Sequence, residues 1–207
     1  MKNVAPTKTN LLRLRRELTF ARLGYELLDQ KRNILVIELL NLVDQAVDYQ
    51  SRVENALTEA YRKLQEAVLS MGKLKVANLS AAVNVDAEIK ITQRRVMGVA
   101  LPVVETQYQE YPPFFSPVGT TFWIDRALSE FKNVLQMMGR LAELKVSIMR
   151  LAREVRKTIR KVNALEKIAI PDLEESVSWI QNRLEENERE TFVLMKMVKQ
   201  RLEKESS

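Results

Sequence analysis

Residues 11–53 read LLRLRRELTFARLGYELLDQKRNILVIELLNLVDQAVDYQSRV, and their spacing points to one architecture. Leu11, Leu14, Leu18, Ala21, Tyr25, Leu28, Arg32, Leu35, Leu39, Leu42, Ala46, Tyr49 and Val53 alternate steps of three and four without a break. That is the a/d seam of a coiled coil. Arg32 is its only charged member, and a charge at a seam position wants a carboxylate or sets the register. Beyond Val53 the large apolar residues move to Leu57, Tyr61, Leu64, Val68 and Met71. Three steps of four in succession predict a stutter that unwinds the supercoil locally. One helix from residue 8 to about 78 would be on the order of 105 Å long at 1.5 Å per residue, longer than any compact globule of this chain length.

The C-terminal part carries a matching seam, from Ala127, Phe131, Val134 and Met138 through Leu144, Leu151, Val155 and Val162. After Pro171 it resumes as Leu173, Val177, Ile180, Leu184, Thr191, Leu194 and Val198. Two seamed helices joined by an insert bury their stripes against each other as an antiparallel pair. Charge suggests a register. Residues 38–59 hold Glu38, Asp44, Asp48, Glu54 and Glu59 against Arg52 alone, a net of −4. Residues 145–161 hold Lys145, Arg150, Arg153, Arg156, Lys157, Arg160 and Lys161 against Glu154, a net of +6. A pairing in which positions sum to about 210 would set these blocks side by side. It would also set Arg13, Arg15, Arg16 and Arg22 beside Glu186, Glu188 and Glu190.

The middle follows another period. Val83, Val85, Ala87, Ile89 and Ile91 alternate with polar residues, which predicts a half-buried strand. Arg94–Leu101 offers the partner strand, ended by Pro102. YPPFFSPVGTT (111–121) reads as an extended loop leading into the second long helix. The expected fold is mainly α: a long antiparallel coiled coil of residues 8–80 with 120–203, with a small central β-hairpin in an insert of residues 81–119. The whole forms a single elongated domain over residues 1–207.

Composition narrows the function. The chain of 207 residues has no Cys and no His. Disulfides, thiolate nucleophiles, thiolate metal sites and Ser-His-Asp chemistry are therefore excluded. Charged residues make up 29%, apolar residues 46% and aromatics 6%, with only five Gly, which argues against both disorder and a β-sandwich. No apolar run approaches the roughly 20 residues of a membrane-spanning helix. The N-terminus has no continuous apolar segment of a signal peptide, so the expected compartment is the cytoplasm or a cytoplasmic membrane face reached through a partner.

No motif carries chemistry. There is no Gly-x-x-x-x-Gly-Lys-Ser/Thr, and carboxylate pairs such as Glu185-Glu186 lie on polar helical surface without a pocket. Catalytic, cofactor and metal residues are expected to be absent. Thr7 after Pro6 reads as an N-cap. Leu12 lies off the seam, where an apolar residue can face a partner. Pro171 inside a helical pattern predicts a kink or a one-turn break. The five methionines Met137, Met138, Met149, Met195 and Met197 read as adaptable packing. The basic block 145–161 raises nucleic acid as a partner, but it has no stacking aromatics, and the facing acidic block accounts for it better. At the joined chain ends the register gathers Arg13, Arg15, Arg16, Lys196 and Lys199, which with Leu12 form the expected partner-contact set.

The segments PTKTNLLRLRRELTFARLGYELLDQKR (6–32), RRVMGVALP (94–102), KVNALEKIAIP (161–171) and RLEENERETFVLMK (183–196), in this order and spacing, resemble the D subunit of the V/A-type rotary ATPases. The resemblance covers nearly the whole chain. It implies a central rotor shaft whose two chain ends enter a catalytic hexamer of A and B subunits. It implies that the opposite end meets the small F subunit of the stalk and an adaptor on the membrane ring. The chain would lie peripherally on the cytoplasmic side, without cofactor, nucleic acid or insertion into the membrane. Activity would belong to the assembly. A stand-alone coiled-coil scaffold and a basic binder of nucleic acid or membrane surface are the alternatives that the residues leave open.

Overall fold

In a computed structural model the chain runs as helix α1 (Lys8–Met71), helix α2 (Lys73–Ala82), strands β1 (Val85–Val96) and β2 (Val99–Glu110), and helix α3 (Phe122–Ala164). A π-helical turn (Leu165–Ala169) then leads into helix α4 (Ile170–Glu205). Residues 5–110, 114–116 and 118–205 are described, with the side chains of all but 85–87, 110 and 203–205. The expected loop residues Tyr111, Pro112, Pro113 and Pro117 lie outside this set, as do the side chains of Val85 and Ala87. Long helices flanking a two-stranded antiparallel hairpin are the fold class that the seams predict.

The first helix stops short of the expected residue 78. Gly72 takes a φ of 85°, a left-handed conformation that only glycine adopts without strain, and the chain restarts as α2 one residue later. The stutter is also absent. After Val53 the fully covered residues are Ala60 and Ala67, which extend the seam in register, whereas Tyr61 is half exposed and meets Phe131 edge-on at 5.5 Å. Alanines in the seam let a neighbouring element approach closely. A reading weighted toward large side chains passes over them.

Contacts divide the chain into two units, residues 34–155 and residues 1–33 with 156–207. The first is built on an apolar cluster of Leu35 and Leu42 from α1, Leu101 from β2, and Leu144, Leu151 and Val155 from α3. A second cluster joins Ala67, Val76 and Ile124 from α1, α2 and α3. Burying a leucine is worth about 1.5–3 kcal/mol, and Leu35, Leu101, Leu144 and Leu151 are nearly fully covered.

The hairpin turns at Met97-Gly98, both with positive φ (48° and 81°), and not before Arg94. Two central residues with positive φ make the primed turn that matches strand twist. Pro102 does not end the strand; it stands opposite Gln93, and the ladder continues to Glu110. In a two-residue hairpin the closing pair, Val96 with Val99, is hydrogen-bonded, and bonded pairs then alternate. Pro102 thus falls in a non-bonded pair, where its missing N–H removes nothing from the ladder. By the same count Ala100 and Val104 also turn their backbone groups outward. The Ala100 carbonyl accepts from Arg150 Nη1 at 2.9 Å, and the Val104 N–H donates to Glu143 Oε2 at 3.0 Å. Helix α3 therefore satisfies the outer edge of β2. Tyr108 Oη adds a third link, donating to the Leu135 carbonyl at 2.7 Å. Strand β1 is different. Its apolar residues Ile89 and Ile91 are exposed, so the expected half-buried face is open at these two positions.

In the second unit Leu14 and Ala21 of α1, Thr158 and Val162 of α3, and Ile180 of α4 are buried. Pro171 is accommodated without a gap in the helix. The π-helical turn precedes it, and the Ile170 N–H bonds the Leu165 carbonyl five residues back. Leu165, Ala169, Leu173 and Val177 are spaced by fours. That is at least one residue more than a 3-4 alternation allows, and the wider turn takes it up.

Candidate functional site

The expected partner-contact set lies at the chain ends. The first turn of α1 forms as its sequence requires: the Asn10 N–H donates to Thr7 Oγ1 at 3.2 Å, and Asn10 Nδ2 donates to the Ala5 carbonyl at 2.8 Å. Polar contacts then tie α1 to α4. Lys8 Nζ lies 2.8 Å from Glu188 Oε1, Arg15 Nη2 donates to Gln181 Oε1 at 2.8 Å, and Arg22 Nη2 lies 2.7 Å from Glu174 Oε1. The hydrogen bond and the opposite charge of each partner hold Lys8 above and Glu188 below their ordinary pKa values.

These pairs correct the register. The residue numbers of each pair sum to 196, where the charge blocks suggest about 210. The shift of 14 residues moves the partner of any α1 residue about 21 Å along α4 at 1.5 Å per residue. Arg13, Arg15 and Arg16 are consequently not beside Lys196 and Lys199. Arg15 is engaged with Gln181, Arg13 faces Glu17 at 3.9 Å, and Arg16 and Leu12 are exposed. Lys196 and Lys199 lie beyond Glu188, past the start of α1, on a stretch of α4 that α1 does not cover.

That stretch is the feature that sequence reasoning missed. From residue 189 to 202 every side chain of α4 is exposed, including Phe192, Leu194, Met195, Val198 and Leu202. Leu194 and Val198 keep the spacing of the seam but are exposed. The sequence hid it, because in a register summing to about 210 the start of α1 at Lys8 would cover α4 as far as about residue 202. Exposed apolar side chains concentrated on one helical segment mark a surface that another molecule covers.

Three members of the acidic block find partners other than the expected ones. Glu38 turns to Arg94 of the hairpin at 3.4 Å, Glu54 accepts from Gln50 at 2.9 Å, and Glu59 pairs with Arg62 at 2.5 Å. Arg32, at its seam position, does find a carboxylate: Nη2 stands 2.6 Å from Asp29 Oδ1, an ion pair whose angles do not make it a hydrogen bond. Among the described residues no helix is long and apolar enough to cross a membrane, and no group of three or more Asp or Glu is gathered as for a metal ion.

Comparisons with known proteins fit this picture. The family of the ATP synthase D subunit matches over residues 10–200. The A-type ATP synthase D subunit of Thermococcus sibiricus is 36% identical over 203 residues, covering 97% of this chain and 95% of that protein. The A-type D subunit of Pyrococcus horikoshii is 35% identical over 207 residues, covering 99% of this chain and 97% of that protein. The V-type ATP synthase D subunit of Thermotoga neapolitana is 35% identical over 200 residues, covering 97% of this chain and 98% of that protein.

Proposed function

Because the chain belongs to the family of the ATP synthase D subunit, we propose that it is the central rotor shaft of a V/A-type ATPase. In this role it couples ATP hydrolysis or synthesis in a catalytic hexamer of A and B subunits to ion movement through a membrane ring. It performs no covalent step itself. It lies on the cytoplasmic face of the membrane, with the small F subunit of the stalk and an adaptor on the ring as its other neighbours.

The observation that carries the reading is the uncovered stretch of α4, residues 189–202, beyond the last cross-link to α1. A shaft needs a terminal segment whose faces belong to a surrounding ring. It also needs asymmetry, because a uniform rod biases no particular catalytic interface. Side-chain contacts that differ around the helix shift which interface binds nucleotide best, as any ligand with differential affinity shifts a population. Exposed charges near the tip, at Arg13, Arg16, Lys196 and Lys199, supply contacts of under about 1 kcal/mol each, weak enough to be remade at every step.

The test is reconstitution of the complex in ion-tight vesicles with and without this chain. ATP-driven ion transport should require it, while any hydrolysis that survives its omission should be uncoupled. Charge reversal at Arg13, Arg15 and Arg16, or truncation of residues 198–207, should leave the chain folded and lower coupled turnover. Transport that persists in full without the chain would end the shaft reading. Both variants turning over like wild type would move the torque contact away from the tip.

A further inference from the structure

The last turns of α3 carry a charge that no described residue answers with an ion pair. From Val155 to Leu165 there are four cations, Arg156, Lys157, Arg160 and Lys161, and no carboxylate. All four are exposed, while Val155, Thr158 and Val162 between them are buried. Among the described residues none of the four makes an ion pair or a hydrogen bond. Some helical cations elsewhere are matched: Arg22 with Glu174, Arg32 with Asp29, Arg62 with Glu59 and Glu66, Arg140 with Glu143, Arg183 with Glu186. In the acidic block 38–59, expected to neutralise this run, Glu38, Glu54 and Glu59 engage Arg94, Gln50 and Arg62 instead.

Such a run costs stability. Arg156 with Arg160 and Lys157 with Lys161 are like charges at i,i+4, each destabilising an isolated helix by a few tenths of a kcal/mol. Among the described residues no ion pair offsets this. We propose that Arg156, Lys157, Arg160 and Lys161 form a docking track for a carboxylate-rich segment of another subunit, one that presents acidic side chains about one helical turn apart. The spacing is the reason for that partner. Two guanidinium groups one turn apart, flanked by two ammonium groups, match carboxylates at i and i+4 of a facing helix, about 5–6 Å apart. Nucleic acid fits less well, since no aromatic side chain stands in the track to stack on a base. A membrane surface fits less well too. An interfacial helix needs an apolar face to insert beneath its cations, and here that face is buried in the chain's own core. The partner's being a subunit of the same complex rests on the shaft reading; the carboxylate chemistry does not.

Zero-length carbodiimide coupling on the reconstituted complex tests this, because it joins a lysine only to a carboxylate already in contact. At about 50 mM salt, mass spectrometry should find Lys157 or Lys161 coupled to an Asp or Glu of another subunit, and the yield should fall at about 500 mM salt. Replacing all four by Gln should slow assembly about tenfold at low salt, with the difference lost at high salt. Replacing Lys73, Lys90, Arg126 and Lys145 by Gln, the same change in net charge, should not. A complex that assembles and transports while both lysines stay uncoupled and freely acetylated would overturn the proposal. So would tighter binding of the chain to single-stranded oligo(dT) or to phosphatidylglycerol vesicles than to poly-L-glutamate, lost in the four-Gln variant. If the wild-type chain fails to assemble at all, the shaft reading falls, and the track stands or falls on poly-L-glutamate binding by the chain alone.

Discussion

The two units are held in different ways. In residues 34–155 the helices and the hairpin close over leucines: Leu35, Leu42, Leu101, Leu144 and Leu151 lie in one cluster, and α3 satisfies the outer edge of β2 through Arg150 and Glu143. In residues 1–33 with 156–207 the buried positions are fewer and include Ala21 and Thr158. Exposed polar pairs join the helices there, and α4 continues from residue 189 with no cover. The lesson concerns what burial can report. Where the core is dense, the sequence pattern describes the fold. Where the pattern runs on through exposed side chains, it describes a surface for other molecules.

The largest expected effect breaks the first unit. Leu35→Ala or Leu151→Ala, each removing a fully covered side chain, should cost about 2–5 kcal/mol. Leu194→Ala, which has the same seam spacing but is exposed, should leave the melting temperature nearly unchanged. Equal effects at all three positions would erase the distinction between the units.

Two glycines inside helices sharpen it with opposite signs. A Cβ at Gly139 of α3 would fall within contact distance of Thr106 Oγ1 and 3.9 Å from Val104 Cγ1, so Gly139 is where β2 lies against the helix. At Gly24 of α1 nothing lies within 4 Å. Gly139→Ala gains about 1 kcal/mol of helix propensity but must push the Thr106 side chain aside, at a cost of about 1–3 kcal/mol. Gly24→Ala should simply stabilise, by up to about 1 kcal/mol. Thermal melts of the two variants, together with Gly139→Ala combined with Thr106→Gly, decide the point. A stabilising Gly139→Ala would mean that the Thr106 side chain gives way at little cost.

How much of this is legible in the sequence follows the same division. The steps from Leu14 to Val53 predict the long helices, because burial of a repeated stripe is a local signal of large total magnitude. Ala60 and Ala67 escape notice because a small residue in a seam resembles surface. The turn at Met97-Gly98 is hard to place since Met97, with its positive φ, is not a typical turn residue. The register fails for an energetic reason. Exposed ion pairs are worth under about 1 kcal/mol each, so charge blocks follow a register set by packing and do not choose it. The contact set expected at the chain ends inherits that error: Arg13, Arg15 and Arg16 do not stand beside Lys196 and Lys199, and only the uncovered stretch of α4 marks the surface itself.

Alkaline pH should act on the first unit before the second. Burial pushes the Tyr108 phenol above its ordinary pKa, while its hydroxyl donates to the Leu135 carbonyl. A raised folded value means that the native state holds the neutral form. The contribution is whole below about pH 10 and is lost as pH rises through the folded value. Amide exchange of β2 should therefore quicken above about pH 10, and Tyr108→Phe should cost about 1 kcal/mol at neutral pH while removing that alkaline step. An unchanged exchange profile in the variant would detach the hairpin from this bond.

The smallest effect lies at the other end, in the pair of Lys8 with Glu188. Glu188 is held below its ordinary value by the Lys8 hydrogen bond and charge, so its contribution is present above the ordinary carboxylate range and fades as pH falls through the folded value. Lys8 is held above its ordinary value, so its contribution is present below the ordinary lysine range and fades as pH rises through the folded value. Across neutral pH both are ionised and the pair is constant; it weakens only toward acid and toward strong base. Both groups are exposed at 2.8 Å separation, and salt screens such a pair. Global melting should hardly register Lys8→Gln. Amide exchange in the first turns of α1 should, as a modest increase at low salt that disappears at about 0.5 M salt. A first turn equally protected in wild type and variant at every salt concentration would mean that the Thr7 cap alone holds the start of α1. The tip would then owe its order to the cap and to packing, with the cross-helix charges left entirely for partners.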